Sequence, residues 1–122
     1  KVATVIFNEQ QHTISDSDRI LSAGNWYYQV GKGVNMVEQV VKALYQLRIQ
    51  SVLVEGGAQL LQSFINEGFW DEAWIITNEA LTIPAGIAAP RLADTIKTGE
   101  EHFFSDSIAY YIPSSCRSGI KG

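Results

Sequence analysis

Within a few positions of this chain an apolar run, Val52-Leu53-Val54, meets an acidic residue, Glu55, and then a glycine pair, Gly56-Gly57. No other stretch constrains the fold as strongly. An unbroken apolar run of this kind suits a strand buried on both faces, as in a parallel sheet. Beyond the glycines, Leu60, Leu61, Phe64 and Ile65 fall on one side of a helix running from about Ala58 to Glu67. Gly68 then stands where a helix ends in the left-handed conformation. A strand that turns through glycine into a helix is the place where a parallel α/β sheet presents its ligand. The start of the helix offers unpaired N–H groups and the positive end of its dipole, which suit a phosphate.

The remaining elements follow from the same kind of pattern. Val2 to Phe7 is apolar and β-branched and reads as a central strand. Such a strand at the very first residues leads us to expect further sequence upstream, so that the chain is a truncated copy of a longer domain. Trp26 to Val30 alternates as a strand does, and Gly31-Lys32-Gly33 ends it. Asn35 to Arg48 reads as a helix, with Asn35 as N-cap and Glu38 completing a capping-box-like pair. Met36, Val37, Val40, Val41, Leu44 and Tyr45 form its apolar stripe. Asp71 to Thr77 is the next strand, and Asn78 to Pro90 a loop. His102-Phe103-Phe104 and Ile108 to Ile112 flank a polar triplet, Ser105-Asp106-Ser107, as a hairpin would. Ser15-Asp16-Ser17-Asp18 reads as a turn, and the stretch from Pro113 as a frayed tail.

The order β, β, α, β, α, β and hairpin predicts one undivided α/β structure over residues 1–113, followed by a tail over 114–122. Its central strands should be mostly parallel, flanked by helices, with a C-terminal antiparallel hairpin.

Composition removes several classes of function. With 122 residues, 46% of them hydrophobic, the chain has material for one domain core. Its net charge is -4 and no Lys/Arg cluster occurs, so the basic footprint of a nucleic-acid binder is missing. No apolar run approaches membrane-spanning length. The single cysteine, Cys116, excludes an internal disulfide and a cysteine metal cluster, and a cytoplasmic location fits.

Two readings of the glycine pair stand side by side. Either one glycine caps the helix while the other permits close packing, or the pair cradles a phosphate. It matches neither the dinucleotide fingerprint nor the P-loop. An exposed helix end attracts an anion by only ~0.3–1 kcal/mol, so a nucleotide site needs further contacts. Glu55 favours the ligand reading, because a carboxylate at the end of a buried strand must be paired or hydrogen-bonded. Its useful direction is toward a second ligand carrying donors, where a charged hydrogen bond contributes ~1.5–3 kcal/mol. The competing explanation is a salt bridge to a nearby Arg or Lys. His12 and His102 lack metal-ligand spacing and read as structural or solvated. Asp71-Glu72 reads as a solvated strand entry or a subunit contact rather than a catalytic pair, and Ser63 has no nucleophile-elbow context. No zinc deaminase signature is present.

Leu53 to Glu72, LVEGGAQLLQSFINEGFWDE, resembles the C-terminal reductase domain of the bifunctional riboflavin-biosynthesis deaminase–reductase. The likeness rests on a strand, E-G-G, a helix with a serine–phenylalanine pair, and G-aromatic-x-D-E. It continues through Gly86-Ile87-Ala88-Ala89-Pro90 to Asp106 and the Tyr110-Tyr111 strand, over most of residues 36–112. The resemblance implies a dihydrofolate-reductase-like three-layer fold and NADPH as cofactor. It implies reduction of 5-amino-6-(5-phosphoribosylamino)uracil to the 5-phosphoribitylamino product. Under it Glu55 holds the substrate, while Gly56, Gly57, Ala58, Gln59, Leu60 and Ser63 line the cofactor phosphates. It also implies a homodimer and an upstream zinc deaminase domain. The family's lysine and aspartate segments, which complete its substrate site, fall upstream of this chain, so no catalytic residue is assigned within it. Asn78-Glu79 departs from the proline that relatives often carry there. Two other readings remain open: a dihydrofolate-reductase-fold enzyme acting on a pterin or another pyrimidine, and a non-catalytic oligomerisation module presenting Trp26, Trp70 and Trp74.

Overall fold

The computed structural model describes residues 2–15, 21–33 and 35–115, which divide between two compact units, residues 1–54 and 55–122. Cys116, most of the Ser15–Asp18 turn and the tail beyond Ser115 lie outside the described residues.

In the first unit β1 (Ala3–Asn8) and β2 (Gly24–Gln29) pair in parallel, from Ala3 opposite Gly24 to Asn8 opposite Gln29. Asn8 ends β1 by turning its side chain back, its Oδ1 accepting the N–H groups of Gln10 (2.9 Å) and Gln11 (2.8 Å). The chain then runs along β2. Thr13 N–H donates to Tyr27 O at 2.9 Å, and its Oγ1 accepts Tyr27 N–H at 2.9 Å. His12 Nδ1 accepts Gln29 N–H at 3.0 Å, and its ring meets Tyr28 edge-on. His12 is thus structural, as its setting predicts.

Helix α1 (Met36–Gln46) starts where Asn35 and Glu38 place it, with Asn35 Oδ1 accepting Glu38 N–H at 3.1 Å. Ile14, Val30, Val37 and Ala43 form the buried core of this unit. The apolar stripe is rotated from the expected one. Ala43 is wholly buried, whereas Met36 and Tyr45 are exposed. Two polar contacts join α1 to β2 and the turn after it. Tyr28 donates its hydroxyl to Gln46 Oε1 at 2.8 Å, and Gln39 holds both backbone groups of Gly31, accepting its N–H at 2.7 Å and donating to its carbonyl at 3.2 Å.

The second unit contains α2 (Ala58–Asn66), β3 (Ala73–Asn78), β4 (Thr95–Phe103) and β5 (Asp106–Pro113). The three strands form an antiparallel sheet in the order β3-β5-β4. The expected mostly parallel sheet is corrected: among the described residues only β1 and β2 pair in parallel. The cause lies in the hairpin. Two strands joined by a two-residue loop must be antiparallel, which leaves the other edge of β5 for β3. The loop itself is Phe104-Ser105, not the polar triplet. Asp106 belongs to β5, where its carboxylate accepts Asn78 Nδ2–H at 2.7 Å, and Ser107 is buried there. Two of the three polar residues, Asp106 and Ser107, are thus paired in β5 rather than turning. Pro113 and Ser114 are likewise held, Pro113 in β5 and Ser114 by its N–H on Asp94 O at 2.8 Å.

Val52-Leu53-Val54 is a further correction. The run has no strand partner among the described residues, and Leu53 is 81% exposed. A strand exists through its ladder, and without one an apolar run stays an extended connection.

Candidate functional site

The second helix carries the candidate site. Its approach needs Gly56, whose φ of 135° is closed to other residues, and a side chain there would stand 3.6 Å from Leu60 Cδ2. Gly57 serves as N-cap in an ordinary extended conformation, φ -66° and ψ 155°. It supplies no side-chain acceptor to the first turn, so the N–H groups of Ala58, Gln59 and Leu60 have none from their cap. A Cβ on Gly57 would meet no heavy atom within 4 Å. The close-packing explanation of the glycine pair therefore fails at Gly57. One glycine is required by backbone conformation, and the other leaves open space in front of a helix start.

Along the same helix lies a groove of about 430 Å³. One wall is polar: Gln59, Gln62, Ser63 and Asn66 fall at i, i+3, i+4 and i+7, one face of α2, with Ala58 at its start. The other wall is Ile87-Ala88-Ala89-Pro90. Ser63 returns its hydroxyl to Gln59 O at 2.9 Å, which turns the Oγ lone pairs outward. Gln62 ties the walls together. Its Oε1 accepts Arg91 N–H at 2.8 Å, and its Nε2 donates to Arg91 O at 3.2 Å and to Asn66 Oδ1 at 2.9 Å. No charged side chain lines the groove.

Of the residues singled out by sequence, Ala58, Gln59 and Ser63 line this groove, whereas Gly56, Gly57 and Leu60 do not. Glu55 is exposed and forms no ion pair among the described residues, so the buried, paired setting expected for it is not what the structure contains. Its strand never forms, which removes the burial. Sequence reasoning passed over Gln62, Asn66 and the role of the 87–90 wall. The polar face of α2 was readable at helical spacing, but the wall comes from a loop whose distance no periodicity reveals.

The titratable groups with clear shifts lie elsewhere in the second unit. Hydrogen bonding to Lys97 at 2.5 Å holds the Glu100 carboxyl below its ordinary range, and the same bond raises the Lys97 ammonium. The Tyr110 phenol is raised, first by its hydrogen bond to Glu101. Glu72 accepts the Trp74 indole N–H at 2.5 Å, which makes it a structural acceptor beside Asp71. No group of three or more metal-binding side chains exists among the described residues.

Comparison with protein families decides the affiliation. The model of the RibD C-terminal domain matches residues 2–82, about two thirds of the chain. This chain belongs to the RibD C-terminal domain family. The matched region contains β1, β2, both helices, the glycine pair and β3. It ends before the 87–90 wall and the hairpin. A riboflavin-biosynthesis reductase-type domain is what the affiliation supports, and with it an oxidoreductase role. The mixed α/β structure, with one small parallel and one small antiparallel sheet, is compatible with a dihydrofolate-reductase-like RibD domain. Neither curated proteins nor solved structures give a match. Among the described residues no helix is long and apolar enough to cross a membrane.

Proposed function

We propose that this chain receives NADPH at the start of α2 and along its groove, as part of a reductase domain. The reaction is reduction of 5-amino-6-(5-phosphoribosylamino)uracil to the 5-phosphoribitylamino product. The observation that carries the reading is the uncapped helix start at Gly57, open to approach, at the head of a groove in a chain of this family.

The residues present fit a dinucleotide in kind. The N–H groups of Ala58, Gln59 and Leu60 suit an anionic phosphate, and the helix dipole favours negative charge there. Gln59, Ser63 and Asn66 offer neutral donors and acceptors to hydroxyl or amide groups, and the Ala88–Pro90 wall offers an apolar surface for a ring. When bound, the cofactor supplies the hydride. The chain's own task is to hold the dinucleotide and orient it toward the sugar carbon. Glu55, exposed beside Gly56, is assigned to donor groups of the pyrimidine substrate, separated from the phosphate by the turn of the glycine pair. For the homodimer expected of the family, β3 presents apolar surface, with Trp74 63% and Ile76 68% exposed.

The test is a titration of the chain with NADPH followed by tryptophan fluorescence, beside Gly57→Val. A Cβ at Gly57 meets no heavy atom within 4 Å, so Gly57→Val fills the space in front of the helix start where a phosphate would sit. Saturable binding by wild type and at least about 10-fold weaker binding by Gly57→Val is expected, since losing ~1.4 kcal/mol of contact corresponds to that factor. Equal binding by both removes the phosphate position. Glu55→Gln should weaken the pyrimidine substrate and leave NADPH affinity unchanged.

A further inference from the structure

We propose that Gln62 is a positioning residue, whose carboxamide holds the 87–90 wall against α2 and so sets the width of the groove that admits the dinucleotide. The inference rests on the function proposed above and deepens it. Its basis is geometric. Gln62 engages both backbone groups of Arg91, the residue directly after Pro90, with N–H to Oε1 at 2.8 Å and Nε2 to carbonyl at 3.2 Å. A third bond, to Asn66 Oδ1 at 2.9 Å, fixes which face of the carboxamide is turned outward. The loop carrying the wall is otherwise exposed, with Ile87 92% accessible, so these bonds are what orders its last residues over the helix.

The molecule supplies its own control. In the first unit Gln39 grips Gly31 in the same two-bond manner, N–H at 2.7 Å and carbonyl at 3.2 Å, but Gly31 is not among the residues that line the groove. A glutamine clamp that merely supports the fold should behave alike in both places. A clamp that sets a binding site should not.

The experiment compares wild type, Gln62→Ala, Gln62→Glu and Gln39→Ala for NADPH affinity, thermal unfolding and exchange of the Arg91 amide. Gln62→Glu keeps the acceptor for Arg91 N–H and loses both donations, placing a carboxylate oxygen against Arg91 O and Asn66 Oδ1. Releasing the wall for nine tenths of the time raises the apparent Kd about 10-fold, which is the change expected for Gln62→Ala. Gln62→Glu should fall between, and Gln39→Ala should bind as wild type does. Arg91 exchange should speed up in Gln62→Ala alone. Wild-type affinity in Gln62→Ala with a freed Arg91 amide overturns the proposal, as does an equal loss of affinity in Gln39→Ala. An Arg91 amide still protected in Gln62→Ala overturns the clamp itself. If wild type takes up no NADPH, the functional reading fails and takes the assigned ligand with it. Arg91 exchange then still tells whether the clamp exists, so the two failures are distinct.

Discussion

The two helices of this chain are built from similar material and finished in opposite ways. Helix α1 is closed at its start by Asn35, which accepts Glu38 N–H, whereas α2 begins at a glycine that closes nothing. At their far ends the contrast reverses. Both finish in the same two-bond motif, Arg48 N–H to Tyr45 O with Ile49 N–H to Leu44 O, and Gly68 N–H to Ile65 O with Phe69 N–H to Phe64 O. Yet α2 places Gly68 at the left-handed position, φ 71°, where α1 forces Arg48 to φ 59°. Helix α1 also buries Val37 and Ala43, while α2 has no fully buried residue and lines a groove instead. One helix is a core element with its polar ends satisfied from within. The other leaves its start without a side-chain cap, and on that difference, more than on the glycine pair as a motif, the proposed NADPH site rests.

The largest expected effect breaks the core side of the comparison. Val37→Asp puts an unpaired carboxylate at a position only 4% exposed and should cost ~3 kcal/mol or more. Ile76→Asp, on a surface 68% exposed in the single chain, should change the stability of the monomer by less than ~0.5 kcal/mol and cost more only where the proposed dimer covers β3. Urea midpoints distinguish them, and similar losses in both would mean that the β3 face is covered in solution. Next come the caps. Asn35→Ala should cost ~1 kcal/mol, whereas Gly57→Asp should leave stability within a few tenths of a kcal/mol while supplying an internal acceptor that competes with NADPH. A Gly57→Asp chain binding NADPH as wild type does would remove the contrast between the helix starts. At the other ends, Arg48→Gly should gain up to ~1 kcal/mol by relieving left-handed strain, and Gly68→Ala should lose a similar amount. Thermal midpoints moving in opposite directions are the expected readout.

The smallest effect concerns pH. The Glu100 carboxyl is held below its ordinary value of about 4.5, so its contribution to stability is present above that value. It is lost as pH falls through the lower folded value. Glu100→Gln should therefore flatten the acid limb of the stability curve and leave neutral pH almost unchanged, since the pair with Lys97 is solvent-accessible.

Local chemistry was legible wherever a short-range rule decides the outcome. Asn35 and Glu38 fixed the start of α1, the glycine pair marked the start of α2, and Gly68 ended it. What periodicity could not supply was partnership. Val52-Leu53-Val54 reads as a strand in any window, but a strand needs a ladder, and none is provided. The hairpin turn slid from the polar triplet to Phe104-Ser105 because Asp106 is engaged by Asn78, a contact spanning much of the second unit. Phe104 then takes a φ of 54° at the first loop position, a conformation that residue type would not suggest. In the candidate site the helix face was readable and the opposing wall was not, since Gln62 and Arg91 are brought together only by the path of a long loop.

The central claim is that α2 and the wall clamped to it receive NADPH. Amide hydrogen exchange of the whole chain, with and without saturating NADPH, tests it most directly. The account predicts slowed exchange at Ala58, Gln59 and Leu60 and at Arg91, with the amides inside α1 unchanged. Saturable binding that leaves the start of α2 and Arg91 exchanging at their free rates would contradict it.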